Sequence, residues 1–242
     1  MAAANMEIQR QIEDIERVLQ LQPLGRVRRD IDAVAWRLRR AATQRSKRLL
    51  DIVISCAALL AATPLLLLAA LLIKLEDGGP VLFWQTRIGK WGRPFRFPKL
   101  RSMVVNAEAL RVQLHEANEH GGDGVTFKMK NDPRITRVGR ILRRASIDEL
   151  PQLYCVLVGD MSLVGPRPAL ASEVARYSLD DRRRLDATPG LTCSWQVSGR
   201  AEIPFPEQVR LDVEYIEQQC LKEDLSLLLR TIPAVISGRG AC

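Results

Sequence analysis

With 242 residues, 47% of them hydrophobic, the chain can bury one ordinary core and carry appendages, which excludes disorder as its default state. Lys and Arg number 36 against 28 Asp plus Glu, a formal charge of +8, so an anionic partner is favoured: nucleic acid, a phosphorylated small molecule or an acidic lipid headgroup. The five cysteines contain no C-x-x-C pair and suggest neither a zinc site nor a disulfide framework, and His115 and His120 lack the one-face spacing of a helical metal pair, so a reducing cytoplasmic compartment fits.

Ile8, Ile12, Ile15 and Leu19 repeat at four-three-four spacing among Gln, Glu and Arg, and predict an amphipathic helix of about two heptads. So short a seam is marginal alone. It either pairs with a second copy, giving a homodimer, or packs on its own domain. After Pro23 and Gly25 a second helix is predicted, with Val27, Ile31, Val34 and Leu38 set against Arg28, Arg29, Arg37, Arg39 and Arg40. A basic amphipathic helix reads as a membrane-surface element or as an ordinary solvated face.

From Leu49 to Ile73 the sequence is nearly all Leu, Ala, Val and Ile, close to the roughly 20 residues that cross a hydrocarbon core. It begins too far from Met1, behind too much charge, for a cleavable signal peptide. Thr63-Pro64 sits near its midpoint, where proline deletes a helical hydrogen bond, and Arg45, Lys47, Arg48 and Lys74 flank its ends. Two topologies satisfy these features: a kinked transmembrane helix, and a re-entrant helix that breaks at Thr63-Pro64 and keeps both flanks cytoplasmic.

Beyond Gly78-Gly79-Pro80, residues 81–84 and 95–97 are strand candidates around Gly89, Gly92 and Pro94, hence a small β-hairpin. Helix is predicted over 102–119, a loop over 121–124, and helix again over 147–158, 170–177, 206–216 and 225–236. The expected fold class is α+β, a mostly helical, membrane-associated domain with one small hairpin.

Neither G-x-x-x-x-G-K-[ST] nor G-x-G-x-x-G occurs, so phosphate must be held by cationic clusters near glycine and proline. The candidates are Lys99-Leu-Arg101, Arg143-Arg144 and Gly165-Pro166-Arg167-Pro168. In the last, proline on either side fixes the backbone and presents one guanidinium with little entropy left to lose, which suits a bidentate phosphate contact. Ser146-Ile-Asp148-Glu149 places two adjacent carboxylates at a predicted helix start, whose partial positive charge favours an ionised Asp148. Ser146 and Glu149 also have the spacing of a capping box, in which each side chain bonds the other's backbone N–H. Asp160 reads equally as a supporting carboxylate and as a turn residue.

The ordered set of motifs resembles the bacterial sugar transferases, the monotopic polyprenyl-phosphate phosphoglycosyl transferases. The likeness runs from about Lys47 to Gly240. It is carried by Lys47-Arg48-Leu-Leu-Asp51, Gly79-Pro80-Val-Leu-Phe-Trp-Gln85-Thr-Arg87-Ile-Gly89, Lys99-Leu-Arg101-Ser102-Met103 and Asp132-Pro-Arg134-Ile-Thr-Arg137-Val-Gly139. It continues through Ser146-Ile-Asp148-Glu149-Leu-Pro151-Gln152, Gly159-Asp160, the Gly165–Pro168 run, Pro189-Gly190-Leu-Thr192, Trp195-Gln196-Val-Ser-Gly199-Arg200 and Asp212-Val-Glu-Tyr215.

The resemblance implies transfer of a sugar 1-phosphate from a UDP-sugar to undecaprenyl phosphate, releasing UMP, as the first membrane step of surface polysaccharide synthesis. It implies Asp148 as nucleophile forming an aspartyl-phosphosugar, Glu149 with Asp148 holding Mg²⁺, Arg167 and Arg143 contacting phosphate, and a re-entrant helix broken near Pro64. Lys99 and Arg101 complete the expected substrate contacts. The implied organisation is an N-terminal amphipathic extension (1–45), a re-entrant membrane helix (46–76) and a catalytic domain (77–242) on the cytoplasmic face of the bacterial inner membrane, among membrane lipids. No helix-turn-helix, zinc-finger or basic-zipper signature supports nucleic acid as a partner; a non-catalytic scaffold is the other rival. Cys193 stands where the family commonly has glycine, and Gln218-Gln219-Cys220 where an Asn-Trp-Ser-like run is frequent, which bears on donor identity more than on reaction type.

Overall fold

The computed structural model describes residues 13, 23–107, 109–110, 132–199 and 203–237, the side chains of 23–42 and 235–237 excepted. Ile8, Ile12, Ile15, Leu19, both histidines, the loop 121–124 and most of the helix expected over 102–119 lie outside the described residues. The chain divides into two units, Met1–Ser46 and Lys47–Cys242. The two helices expected over 27–38 and 49–73 are one element, α1 (Pro23–Asp77). Between Leu38 and Leu49 the sequence has Arg, Ala, Gln, Lys, Ser and Thr but neither glycine nor proline, so nothing there ends a helix.

In the second unit, β1 (Leu82–Ile88) and β2 (Pro94–Leu100) form the expected antiparallel hairpin, with Leu82 opposite Leu100 and Ile88 opposite Pro94. Helix α2 (Arg137–Arg144) starts at Thr136, whose Oγ1 accepts from Gly139 N at 2.9 Å. A 3₁₀ segment, Ile147–Gln152, runs into α3 (Leu153–Val158). The helix expected over 147–158 is thus of two kinds, because Pro151 has no N–H to close an α turn onto Ile147.

Two three-residue strands, β3 (Ser162–Val164) and β4 (Gly190–Thr192), pair in parallel, with Ser162 opposite Gly190 and Val164 opposite Thr192. The rest is helical: α4 (Ala171–Val174), a 3₁₀ segment at Asp181–Asp186, α5 (Ser194–Ser198), α6 (Phe205–Gln218) and α7 (Leu221–Ser237). One core joins Phe97, Val156, Met161, Leu163, Val164, Tyr215 and Leu227; a second joins Leu100 and Leu142 to Ala69 and Ile73 of α1. The fold is α+β, with one long apolar helix and a small antiparallel hairpin.

Thr43–Asp77 of α1 is long and apolar enough to cross a membrane. Within the second unit, Lys47–Asp77 of this helix is bonded at both ends to later segments of the chain. At one end Lys47, Asp51 and Ser55, four apart on one face, are turned inward. Lys47 Nζ donates to Val164 O (2.9 Å), Tyr215 OH (3.2 Å) and Asp224 Oδ2 (2.8 Å), while Asp51 Oδ1 accepts from Leu163 N at 2.9 Å. The Arg48 guanidinium caps the carbonyls of Val156 and Leu157 at the end of α3. At the other end Glu76 Oε1 accepts from Arg137 N at 2.8 Å, at the start of α2, and Asp77 pairs with Arg101. Between these anchors Leu60, Ala61, Thr63, Pro64 and Leu65 are exposed, with Thr63 Oγ1 bonding back to Leu59 O at 2.8 Å.

The β3–β4 pairing fixes the Gly165–Pro168 loop. Gly165 N donates to Thr192 O (3.0 Å) and Gly190 N to Pro166 O (2.9 Å), and the two glycines meet so closely that a Cβ on Gly190 would lie 2.1 Å from Gly165 N. The Gly190→Ala change is therefore expected to destabilise the chain by about 1–3 kcal/mol or more, as overpacking against backbone cannot relax. Thermal unfolding of the full chain checks this; an unchanged midpoint would contradict it.

Candidate active site

The site is assembled from two arms. The first leaves α2 through Ser146, which lies in the left-handed region (φ 55°, ψ 22°) and turns the chain into the 3₁₀ segment. Its side chain makes no capping bond, so the expected capping box does not form. Glu149 faces Lys99 of β2 instead, with Oε1 2.7 Å from Nζ, and lies 3.8 Å from an Arg167 nitrogen. Two charged partners across the fold outcompete one backbone N–H next door.

Asp148 is 5% exposed. Burial pushes its carboxyl above the usual range; the cations Lys99 and Arg143 pull it down and the Glu149 charge pushes it up. The preference for an ionised Asp148 expected from a helix start is thus outweighed, since a short 3₁₀ segment offers little dipole and the side chain is desolvated. Glu149 goes the other way. Burial would raise it too, but Lys99 and Arg167, with Arg87 behind them, hold it at about 2. Adjacent carboxylates are therefore shifted in opposite directions, Glu149 held as an anion and Asp148 raised by its burial, an arrangement that suits chemistry more than packing.

The second arm is the Gly165–Pro168 loop beyond β3, which carries Arg167 with about a third of its side chain exposed. Of the residues predicted from sequence, Asp148, Glu149, Lys99, Arg167 and Arg143, the last in the final turn of α2, come together here. Arg101 does not. It is buried, bonds both carboxylate oxygens of Asp77 and donates its Nε to Pro80 O at 2.6 Å, so it ties the end of α1 to β2. Thr63 and Pro64 belong to the exposed middle of α1. Asp160 is an exposed turn residue after Gly159, and Cys193 is buried with its thiol donating to Gln196 Oε1 at 3.1 Å. Sequence reasoning missed Arg87, which sits beside Arg167 and Glu149; its place in the Gln85-x-Arg87-x-Gly89 run was the one available signal.

Among the described residues no cluster of three or more His, Cys, Asp and Glu side chains could cage a metal ion. Two adjacent carboxylates nevertheless fit Mg²⁺, which keeps several waters and leans on ligand phosphates. Glu149 Oε2 accepts no hydrogen bond among the described residues, and so offers a hard oxygen.

Fold and site define a protein with one long apolar helix and a carboxylate pair lined by Lys99, Arg143 and Arg167, a charge pattern that suits a phosphorylated ligand. The chain belongs to the bacterial sugar transferase family, whose model matches residues 42–238. It is 48% identical over 167 residues to the galactosyl transferase CpsE of Streptococcus agalactiae serotype III, covering 69% of this chain and 37% of that protein. It is 46% identical over 211 residues to the UDP-glucose:undecaprenyl-phosphate glucose-1-phosphate transferase of Caulobacter vibrioides, covering 83% and 73%. With the exopolysaccharide production protein ExoY of Sinorhizobium fredii it shares 39% identity over 198 residues, covering 81% and 88%. The chain thus spans little more than a third of CpsE but most of the other two.

The split between the carboxylates has opposite consequences for stability. Because the folded-state pKa of Asp148 is raised, its ionisation weakens the fold as pH climbs through that raised value; Asp148→Asn should raise the unfolding midpoint at neutral pH. Glu149 contributes stability above its unfolded pKa that is lost as pH falls towards 2, so Glu149→Gln should cost on the order of 1–3 kcal/mol at neutral pH. Calorimetry of the two variants against pH reads both signs, and like signs would refute the assignment. At Ser146 the left-handed backbone makes a second demand: Ser146→Val should be less stable than Ser146→Gly by about 1–3 kcal/mol. Equal melting of these two variants would contradict it.

Proposed function

We propose that the chain transfers a sugar 1-phosphate from a UDP-sugar to undecaprenyl phosphate through a covalent aspartyl-phosphosugar on Asp148, releasing UMP. The observation that carries this reading is the buried Asp148 beside a Glu149 held anionic between Lys99 and Arg167. The relatives named as a galactosyl transferase and as a UDP-glucose:undecaprenyl-phosphate transferase support the same reaction class.

Arg167 and Lys99 bind and orient the donor diphosphate, and Arg143 lowers the repulsion between it and Asp148. One Asp148 carboxylate oxygen attacks the phosphorus nearest the sugar. A carboxylate O–P bond forms, the bond from that phosphorus to the bridging oxygen breaks, and the electron pair leaves with UMP. An oxygen of undecaprenyl phosphate then attacks the same phosphorus and expels the Asp148 carboxylate, which returns ready for another donor. Splitting the reaction this way lets a water-soluble donor and a lipid-bound acceptor use one site in turn. When bound through Glu149 and Asp148, Mg²⁺ would supply charge neutralisation at the phosphate oxygens.

The apolar helix of α1 we read as re-entrant, with both flanks on the cytoplasmic face. Lys47 and Glu76 are separated by 29 residues, about 45 Å if straight, more than the roughly 30 Å of a hydrocarbon core. Yet both bind the same unit, Lys47 at Val164, Tyr215 and Asp224, and Glu76 at the start of α2. A helix with one end on each side of a bilayer cannot be held so. The exposed stretch Leu60–Leu65 around Pro64, where one helical hydrogen bond is missing, is the segment left to lie in lipid.

A screen of UDP-sugars with undecaprenyl phosphate and Mg²⁺, read as UMP release, should find a turned-over donor. Asp148→Asn should abolish that release, and Arg167→Ala should raise the donor KM about tenfold or more, as expected for losing a charged hydrogen bond. Normal turnover by the Asp148→Asn enzyme would end the mechanism. The first step should also slow as pH falls through the raised pKa of Asp148, above the usual carboxylate range. For topology, a tag placed before Ala2 should stay protected in intact cells; its detection outside would remove the re-entrant reading.

A further inference from the structure

Arg87 has no task in the reaction above, although its charge acts on Glu149 and on Arg167. Its NH1 donates to Pro168 O at 3.2 Å, and the next backbone N–H, that of Ile88, donates to Ala169 O at 2.8 Å. Strand β1 therefore holds the two carbonyls that immediately follow Arg167. The Arg87 guanidinium lies 5.3 Å from the centroid of the Phe97 ring, and Lys99 Nζ lies 5.6 Å from the same centroid. Two cations thus lie near one aromatic ring, while Glu149 engages Lys99 and Arg167.

The group carries more positive charge than its carboxylates balance. Arg87 Nε is buried and has no hydrogen-bond partner among the described residues. Burial, followed by the neighbouring Arg167 charge, lowers the Arg87 pKa to about 10. A buried charged donor without an acceptor is costly, and two guanidiniums held beside each other repel. The repulsion falls when a multiply charged anion binds beside Arg167, whereas a neutral or singly charged ligand relieves it less. Glu173, the other acid near Arg87, is engaged in capping α4, its Oε2 accepting from Leu170 N at 2.7 Å.

We propose that Arg87 is a positioning residue for the donor's diphosphate: bonded to Pro168 O and set beside Phe97, it holds the backbone that carries Arg167 near Glu149 and leaves the site with positive charge that a dianion balances. The inference rests on the reading that a nucleoside diphosphate sugar is the donor. A lysine at this position would keep the charge but lose the planar group that spans Pro168 O and Phe97.

The test uses the full chain in lipid nanodiscs, with Arg87→Gln and Arg87→Lys compared to the parent. In Arg87→Gln the donor KM, read as UMP release, should rise about tenfold or more while the KM for undecaprenyl phosphate stays within about twofold. Arg87→Lys should fall between the two. Inorganic pyrophosphate binding, measured by calorimetry without turnover, should weaken in parallel. Unchanged donor KM and pyrophosphate affinity in Arg87→Gln, or equal rises in donor and acceptor KM, overturn the proposal. Should Arg87→Gln fail to fold, Arg87→Lys decides: a donor KM equal to the parent's overturns it. A parent that releases no UMP from any UDP-sugar, yet binds pyrophosphate in an Arg87-dependent way, would instead refute the transfer reaction and leave the role of Arg87 standing.

Discussion

The structure depends on one constraint: the two flanks of the apolar helix hold the two arms of the site. Lys47 bonds the carbonyl of Val164, the last residue of β3, three positions before Arg167. Glu76 takes the first backbone N–H of α2, whose far end delivers Ser146 and then Asp148. Arg167 and Asp148 are therefore each a short, hydrogen-bonded step from the apolar helix. On the proposed reaction, a site tied to both ends of an apolar helix would be held at a fixed height relative to a bilayer surface, where the lipid phosphate is met.

Within that frame, environment separates two carboxylates that sequence makes neighbours. Asp148 is desolvated, while Glu149 is gripped by Lys99 and Arg167, so the same turn yields two carboxylates shifted in opposite directions. The left-handed Ser146 is what allows successive side chains to reach such different surroundings. The parallel β3–β4 pair does the corresponding work for Arg167, because the Gly165–Gly190 contact leaves its loop no freedom to drift.

Much of this was legible in the sequence. The hairpin, the apolar helix, the carboxylate pair and the proline-flanked arginine all have local signatures; the hairpin forms as expected, and the apolar stretch is helical, as part of a longer helix than expected. What was hidden depends on contacts between distant segments. The spacing of Ser146 and Glu149 satisfies a capping box, but Lys99, 50 residues away, claims the carboxylate. Lys99 and Arg101 look interchangeable as phosphate ligands; β2 ends at Leu100 and Asp77 captures the second cation. Strands of three residues carry too little periodicity to be seen, so β3 and β4 were missed, and with them the reason for Gly190. Arg87 was visible only as part of a motif, its neighbours being set by the fold of β1 onto the Pro168–Ala169 backbone.

The central claim is that the Asp148 carboxylate itself takes the phosphosugar. Mass spectrometry of enzyme mixed with its UDP-sugar and quenched before any undecaprenyl phosphate is added tests it most directly. The account predicts a peptide containing Asp148 heavier by one phosphosugar, formed with a matching burst of UMP and absent when Asp148 is replaced by Asn. Release of UMP that waits for the lipid acceptor, with no adduct on that peptide under turnover conditions, would contradict it and favour direct displacement between the two substrates.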